Sequence, residues 1–430
     1  MAREMKDSGI EWIGEIPADW QINRNKVLFF EINERCDNGS DHTLLSVSEY
    51  NGIKPRSEII EDGEFETHAV SLDGYKLCKN GDIVMNIMLA WKRATARSDY
   101  DGIVSPAYCV YRGKNINTKY YHYLFRTDGC SCMFKQYSTG IIDSRLRLYP
   151  NVFLSLSSLV PPIEEQNAIV EYLDVECSRI DSVIEQTRAS VDEYKKLKQA
   201  VITQAVTKGI RPDRQMKDSG IEWIGDIPTN WEIISLGAIT ESMHNGYVGP
   251  TKDLFFDDGI KYIQSLHIKD GKIDFSRHEY YVSEEWANVH PKIKENDVLI
   301  VQTGDIGNVG LVTKDYDGCN CHALIIATPK TDLIFPKFLT YFLRSTVGKE
   351  LLLYHKTGAL LPHLNSGKIK FADVCVPELS EQHEIVKYLD KEIMKIDELI
   401  GKKVELLSQL DSYKKSLIYE YVTGKKEVPA

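Results

Sequence analysis

No apolar run in this sequence approaches the roughly 20 residues needed to cross a bilayer. Met1-Ala2-Arg3-Glu4 leads into polar residues and not into an apolar signal core, so a cytoplasmic location is expected. There is no G-x-x-x-x-G-K-[ST] phosphate loop, no Asn-Pro-Pro-aromatic or Asp-Pro-Pro-Tyr segment, and no Gly-rich cofactor loop set convincingly after a strand. The usual signatures of nucleotide hydrolysis and of base methylation are therefore missing, and no catalytic residue is assigned. Cysteine is sparse: nine residues, an odd number, mostly scattered, read as free thiols in a reducing compartment. Cys130/Cys132 and Cys319/Cys321 have C-x-C spacing in place of C-x-x-C, and only the second pair is followed by a histidine, His322. No metal site is expected from them. Positive charge is also short, with 52 basic against 63 acidic residues and a net charge of −11.

That deficit is localised. Residues 160–208 hold nine acids and six bases, and residues 376–424 hold ten acids and seven bases. Together they carry −6 of the −11, so the rest of the chain is closer to neutral and a nucleic-acid partner is not excluded. A length of 430 residues is too great for one ordinary core and implies two to four domains.

The strongest signal is an internal repeat. Residues 5–20 read MKDSGIEWIGEIPADW and residues 216–231 read MKDSGIEWIGDIPTNW, identical at 13 of 16 positions with an offset of 211. A second, more diverged segment repeats at an offset of 216. Glu165-Gln166, Tyr172-Leu173-Asp174 and Ile180-Asp181 align with Glu381-Gln382, Tyr388-Leu389-Asp390 and Ile396-Asp397. The material between is five residues longer in the second half and looks largely different. Faint echoes remain in Gly81-Asp82-Ile83-Val84 against Asn296-Asp297-Val298-Leu299, and in Thr139-Gly140 against Thr357-Gly358. The order is constant, variable, constant, variable, constant. Its parts are residues 1–20, 21–158, 159–208, 209–231, 232–374 and 375–424.

Pro161-Pro162 and Pro377 stop a strand and start a helix. From there an apolar seam alternates 4 and 3 residues, as in a coiled coil. It runs Leu173, Cys177, Ile180, Ile184, Thr187, Val191, Tyr194, Lys198, Val201, Ala205 in one half. In the other it runs Leu389, Ile393, Ile396, Ile400, Lys403, Leu407, Leu410, Lys414, Leu417, Tyr421. Both seams are interrupted at the same two places, Thr187/Lys403 and Lys198/Lys414. Polar seam residues commonly fix register. Each helix covers about 40 residues, or about 60 Å. Related by a pseudo-two-fold axis, the two would pack antiparallel, with one variable domain at each end. Glu193-Tyr194-Lys195 has the acid-x-lysine spacing of some nucleases, but on such a helix it reads as an ion-pair face.

The variable regions mix β-rich stretches with turns marked by Gly, Asn and Asp, which suits a compact α/β domain of about 140 residues in each half. Several loops carry nucleic-acid chemistry: Asn51, Lys54 and Arg56; Trp91, Lys92 and Arg93 with Arg97; Arg145 and Arg147. In the second half they are Gln302, Thr303 and Asn308, then Lys356, Thr357, His363, Asn365 and Lys368. Arg and Lys reach phosphates or guanine edges, and Asn and Gln pair bidentately with adenine. Any one of these loops taken alone reads equally as a solvated charge run.

The duplicated Gly9-Ile10-Glu11-Trp12-Ile13-Gly14-Glu15-Ile16-Pro17 motif with Trp20, and Val160-Pro161-Pro162-Ile163-Glu164-Glu165-Gln166 opening a long helix, resemble the specificity subunits of Type I restriction–modification systems. Leu44 to Gly52 and Gly102 to Tyr108 look like one common type of first target-recognition domain. The likeness covers essentially the whole chain. It implies an α/β fold: two globular target-recognition domains separated by two long antiparallel coiled-coil helices. It also implies a bipartite double-stranded DNA target and two modification subunits that use S-adenosylmethionine. Restriction subunits driven by ATP with Mg would join that core, and this chain itself would hold no cofactor. The competing expectation is a non-catalytic scaffold without base readout.

Overall fold

The computed structural model describes residues 3–49, 52–59, 71–358 and 363–429. They form two compact units, one of residues 1–187 with 405–430, the other of residues 188–404. Each unit therefore contains one copy of the repeated motif, one variable region, and pieces of both long helices. These are the central helix, Ile163–Lys208, and the C-terminal helix, Leu379–Val422.

In the first unit the repeated motif folds as a hairpin, Met5–Asp7 against Glu15–Pro17. Strand Gln21–Arg24 then pairs antiparallel with Ser157–Val160, so the chain enters and leaves the variable region side by side. Between them lie β1 (Phe29–Ile32), β2 (Ile83–Asn86), β3 (Thr95–Arg97) and β4 (Tyr108–Gly113), an antiparallel sheet in the order β1-β4-β2-β3. Helices α1 (Thr118–Phe125) and α2 (Asp128–Gln136) follow. The core is unusually aromatic. Phe29, Tyr111, Tyr121, Phe125, Phe134 and Phe153 are all buried, with the Tyr111 and Phe153 rings 4.7 Å apart. Offset and edge-on ring pairs at such distances add to the burial term.

The second unit repeats the plan. Met216–Asp218 pairs with Asp226–Pro228, and Glu232–Ser235 pairs with Asp373–Val376. Strands β5 (Thr240–Asn245), β6 (Val298–Val301), β7 (Val309–Leu311) and β8 (Leu324–Pro329) form an antiparallel sheet in the order β5-β8-β6-β7. Helices α3 (Pro336–Arg344) and α4 (Thr346–Tyr354) take the places of α1 and α2. The first echo in the sequence marks the start of the central strand in both units. Asp82 accepts from the Lys79 amide (2.9 Å) and Asp297 from the Lys294 amide (2.7 Å), each closing the turn into β2 or β6.

All twenty seam residues are buried or half-buried. The two helices run antiparallel in each unit. In the first, Tyr172 packs on Tyr421 (4.6 Å) and the break at Lys414 meets Asp181 at 2.6 Å. In the second, Lys198 meets Asp397 at 2.7 Å, and Lys403 lies 5.7 Å from the Tyr194 ring. The interruptions at Lys198 and Lys414 thus pair across the helices with aspartates that are themselves repeated, which fixes register within each unit. Lys195 pairs with Asp192 on an exposed face, so the acid-x-lysine triplet carries no site. Among the described residues no helix is long and apolar enough to cross a membrane.

Candidate nucleic-acid interface

The repeated motif serves as a clamp. Trp20 is fully buried, and its Nε1 donates to Glu165 in the first turn of the central helix at 2.8 Å. Arg3 donates to the same carboxylate at 2.5 Å and lies 5.8 Å from the Trp20 ring. This hydrogen bond to Glu165 holds the Arg3 guanidinium above its ordinary pKa. The second unit repeats the arrangement. Trp231 Nε1 donates to Glu381 at 3.2 Å, Arg214 pairs with Glu381, and Arg214 lies 5.8 Å from the Trp231 ring. Burial works against the Glu381 charge, but the hydrogen bonds from Arg214 and Trp231 outweigh it and hold the carboxyl below its usual value.

A second clamp was not visible as a repeat in the variable regions. Lys119 and Tyr123 of α1 converge on Asp174 at 2.7 and 2.8 Å; Lys337 and Tyr341 of α3 converge on Asp390, both at 2.7 Å. The signal is Lys-x-x-x-Tyr-x-x-Arg-[Thr/Ser] at 119–127 and 337–345. Its final residue caps the next helix, Thr127 for α2 and Ser345 for α4. The Tyr-Arg spacing also places Arg126 and Arg344 inside the protein. Arg126 donates to the carbonyls of Arg93 (2.7 Å), Thr95 (3.4 Å) and Glu49 (2.7 Å). Burial, with Arg93 nearby, pushes it down to about 10, still protonated at neutral pH.

On this frame the structure gathers some of the sequence-predicted contact residues. In the first unit the Leu148 amide donates to the Ile87 carbonyl (2.9 Å), which joins the loop after β2 to the hairpin at 139–147. Trp91, Lys92, Arg145 and Arg147 thus belong to one surface. Lys135 completes it, 4.8 Å from the Trp91 ring and 2.8 Å from Asp143 on the hairpin. In the second unit the Leu364 amide donates to the Gln302 carbonyl (2.9 Å). This joins Gln302, Thr303 and Asn308 after β6 to Lys356, Thr357 and His363 on the equivalent hairpin. Asn365 and Lys368 follow directly, and Asn365 Oδ1 caps the turn at Gly367 (2.9 Å). One polar atom on each surface, Arg147 Nη1 and Gln302 Oε1, is shielded from solvent without a hydrogen-bond partner.

Other predicted residues lie elsewhere. Arg93 is drawn inward, paired with Asp128 and held at φ 64° by the Arg126 contact. Arg97 sits at the opposite end of the β2–β3 hairpin from Trp91, engaged by Asp99 and by Asn80 (2.9 Å). Lys54 belongs to a separate hairpin, Leu45–Ser48 against Gly52–Pro55, and Arg56 begins the short turn that follows it. Asn51 lies outside the described residues. A cleft of about 720 Å³ in the second unit is lined by five basic and four acidic residues, of which Lys198, Lys337 and Arg344 pair with Asp397, Asp390 and Asp270. Its charges are therefore mixed, and it is not a uniformly cationic channel. Among the described residues no group of three or more His, Cys, Asp or Glu side chains could hold a metal ion.

Comparison with known proteins places this architecture. Residues 228–408 match the model of a family described as the Type I restriction modification DNA specificity domain. The chain is 24% identical to the MjaVIII specificity subunit of Methanocaldococcus jannaschii, over 96% of this chain and 94% of the relative. It is 27% identical to the EcoBI specificity subunit of Escherichia coli, over 62% of this chain, and the match spans 57% of that relative's length. A chain from a structural study of assembly and conformational transition in a type I R-M system superposes with a TM-score of 0.72 at 17% identity, over 96% of this chain and 99% of the other. The HsdS subunit from Thermoanaerobacter tengcongensis gives 0.50 at 17% identity, over 96% and 98%. These superpositions show a shared fold.

Proposed function

We propose that the chain, which is similar to the Type I restriction–modification DNA specificity subunits, is one of them and is the non-catalytic reader of a bipartite double-stranded DNA site. Each unit reads one half-site. Methylation and cleavage belong to partners: two modification subunits that bring S-adenosylmethionine, and restriction subunits that use ATP and Mg. The chain itself binds none of these cofactors and works in the cytoplasm.

One observation carries this reading. The two units share their clamps, strand order and helix pairing, yet each frame presents a different loop-and-hairpin surface. Trp91, Lys92, Arg145 and Arg147 occupy the place that Gln302, Thr303, Lys356 and His363 occupy in the other unit. A scaffold without readout would have no need of two chemistries on one frame. Cations of the first surface suit phosphate and guanine, and amide and hydroxyl groups of the second suit base edges. The net charge of −11 is compatible with this, because much of it sits on the helices.

The test is to map methylated bases in DNA from cells that express the chain with its modification partner. A split motif with a fixed unspecified spacer is expected. A continuous motif, or a methylation pattern unchanged on deletion of this chain, contradicts the proposal.

A further inference from the structure

The hairpin at 139–147 carries a feature that base-edge hydrogen bonding does not use. Ile141 at its tip is 98% exposed and Ile142 is 53% exposed. Scattered exposed apolar residues are ordinary, but these are adjacent and held out on a built element. Thr139 and Arg147 exchange backbone hydrogen bonds of 3.0 Å across its base. Leu146 and Leu148 are buried beneath it. Gly140 has φ +156°, and a Cβ there would lie 2.5 Å from the Arg145 carbonyl oxygen, so the turn admits only glycine. The tip cannot fold back to cover its own isoleucines without breaking that frame.

Its surroundings identify the occupant. Leaving out Arg93, which pairs with Asp128, the loop at 87–92 and the segment 135–147 together hold four basic residues and one acid, on a chain whose net charge is −11. Arg145 is exposed on the hairpin and Lys92 on the loop, and Lys135 bridges the two. An exposed apolar tip on a surface with an excess of cations fits a polyanion with an apolar interior better than it fits a protein groove. In the second unit the sequence after Thr357-Gly358 reads Ala359-Leu360-Leu361; residues 359–362 lie outside the described residues.

We propose that the 139–147 hairpin enters a groove of the DNA and that Ile141 packs against the bases there, adding affinity without selecting one base. A two-stranded ribbon fits the major groove, and in minor-groove binders apolar side chains of this kind act as wedges at base steps. The surrounding cations fix the hairpin on the phosphates. This rests on the DNA-reading function proposed above.

The experiment uses the full chain assembled with its modification subunits. Ile141→p-benzoylphenylalanine is irradiated on duplexes that contain the mapped site. A covalent adduct with DNA, localised to the half-site read by the first unit, is expected. In parallel, Ile141→Asp should weaken site-specific binding by about tenfold or more, because a carboxylate would be buried against bases. The melting temperature and the methylated sequence should not change. An adduct with protein only, no adduct, or wild-type binding by Ile141→Asp overturns the proposal. If the unaltered complex shows no sequence-specific binding at all, the DNA-reading function itself has failed, which is a separate outcome.

Discussion

In the first unit the Glu165 carboxylate receives Arg3 and Trp20; in the second the Glu381 carboxylate receives Arg214 and Trp231. Asp174 and Asp390 each receive one lysine and one tyrosine. Away from these clamps the likeness stops. Arg126 is held by three carbonyls, whereas Arg344 faces the exposed Asp270 at 3.3 Å. The first hairpin ends in bare isoleucines, and the loop after β6 is Gly-rich and polar. The carboxylate clamps are therefore shared, and the groups beyond them differ. That is the division expected where packing is common to both units and the surface is free to specialise.

The largest effects should come from the shared clamps. Trp20→Ala and Trp231→Ala should each cost about 3–5 kcal/mol, the usual range for emptying a buried aromatic site. In denaturant unfolding each should destabilise its own unit by a similar amount. Tolerance of one and not the other would break the equivalence of the units.

Glu381→Gln should cost about 1.5–3 kcal/mol at neutral pH, since it removes hydrogen bonds to a buried charge. Glu381 lies below its ordinary pKa in the folded protein. Its contribution is therefore full above the unfolded value and is lost as pH falls through the folded one. The variant should accordingly lose less stability on acidification than the parent. Parallel curves of stability against pH would show that the carboxylate is not the titrating clamp.

A smaller difference should separate the two arginines. Arg126→Met leaves three carbonyls without their donor and should cost about 1–3 kcal/mol. Arg344→Met loses one pair with an exposed aspartate, which is worth about 0–1 kcal/mol. Equal losses in thermal melts would mean that packing of the stems, and not hydrogen bonding, governs both sites. Smallest of all, Lys198→Ala and Lys414→Ala should each cost about 0.2–1 kcal/mol. Because the two bridges lie in different units, the double variant should be additive within about 0.5 kcal/mol.

Much of this frame was legible in the sequence. The 13-of-16 repeat and the 4–3 seam mark the clamps and the long helices, because apolar periodicity and buried tryptophan leave patterns that a linear reading detects. The paired breaks at Lys198 and Lys414 were visible too, although their aspartate partners lie far off in sequence. The surface was legible only in part. Arg93 and Arg97 look like contact residues because nothing local reveals Asp128 or Asn80 as partners. The Lys119/Tyr123 clamp was hidden because three polar positions in a diverged helix make a weak signal until the fold brings Asp174 to them. Ile141 gave no polar cue at all, and only its exposure marks it.

The central claim is that two equivalent frames read two half-sites independently. The most direct test replaces residues 232–374 with the corresponding segment of a specificity subunit that directs a different modification, then maps the methylated sequence. One half-site should remain as in the parent and the other should become that of the donor. A change in both halves, or in neither, would contradict the account.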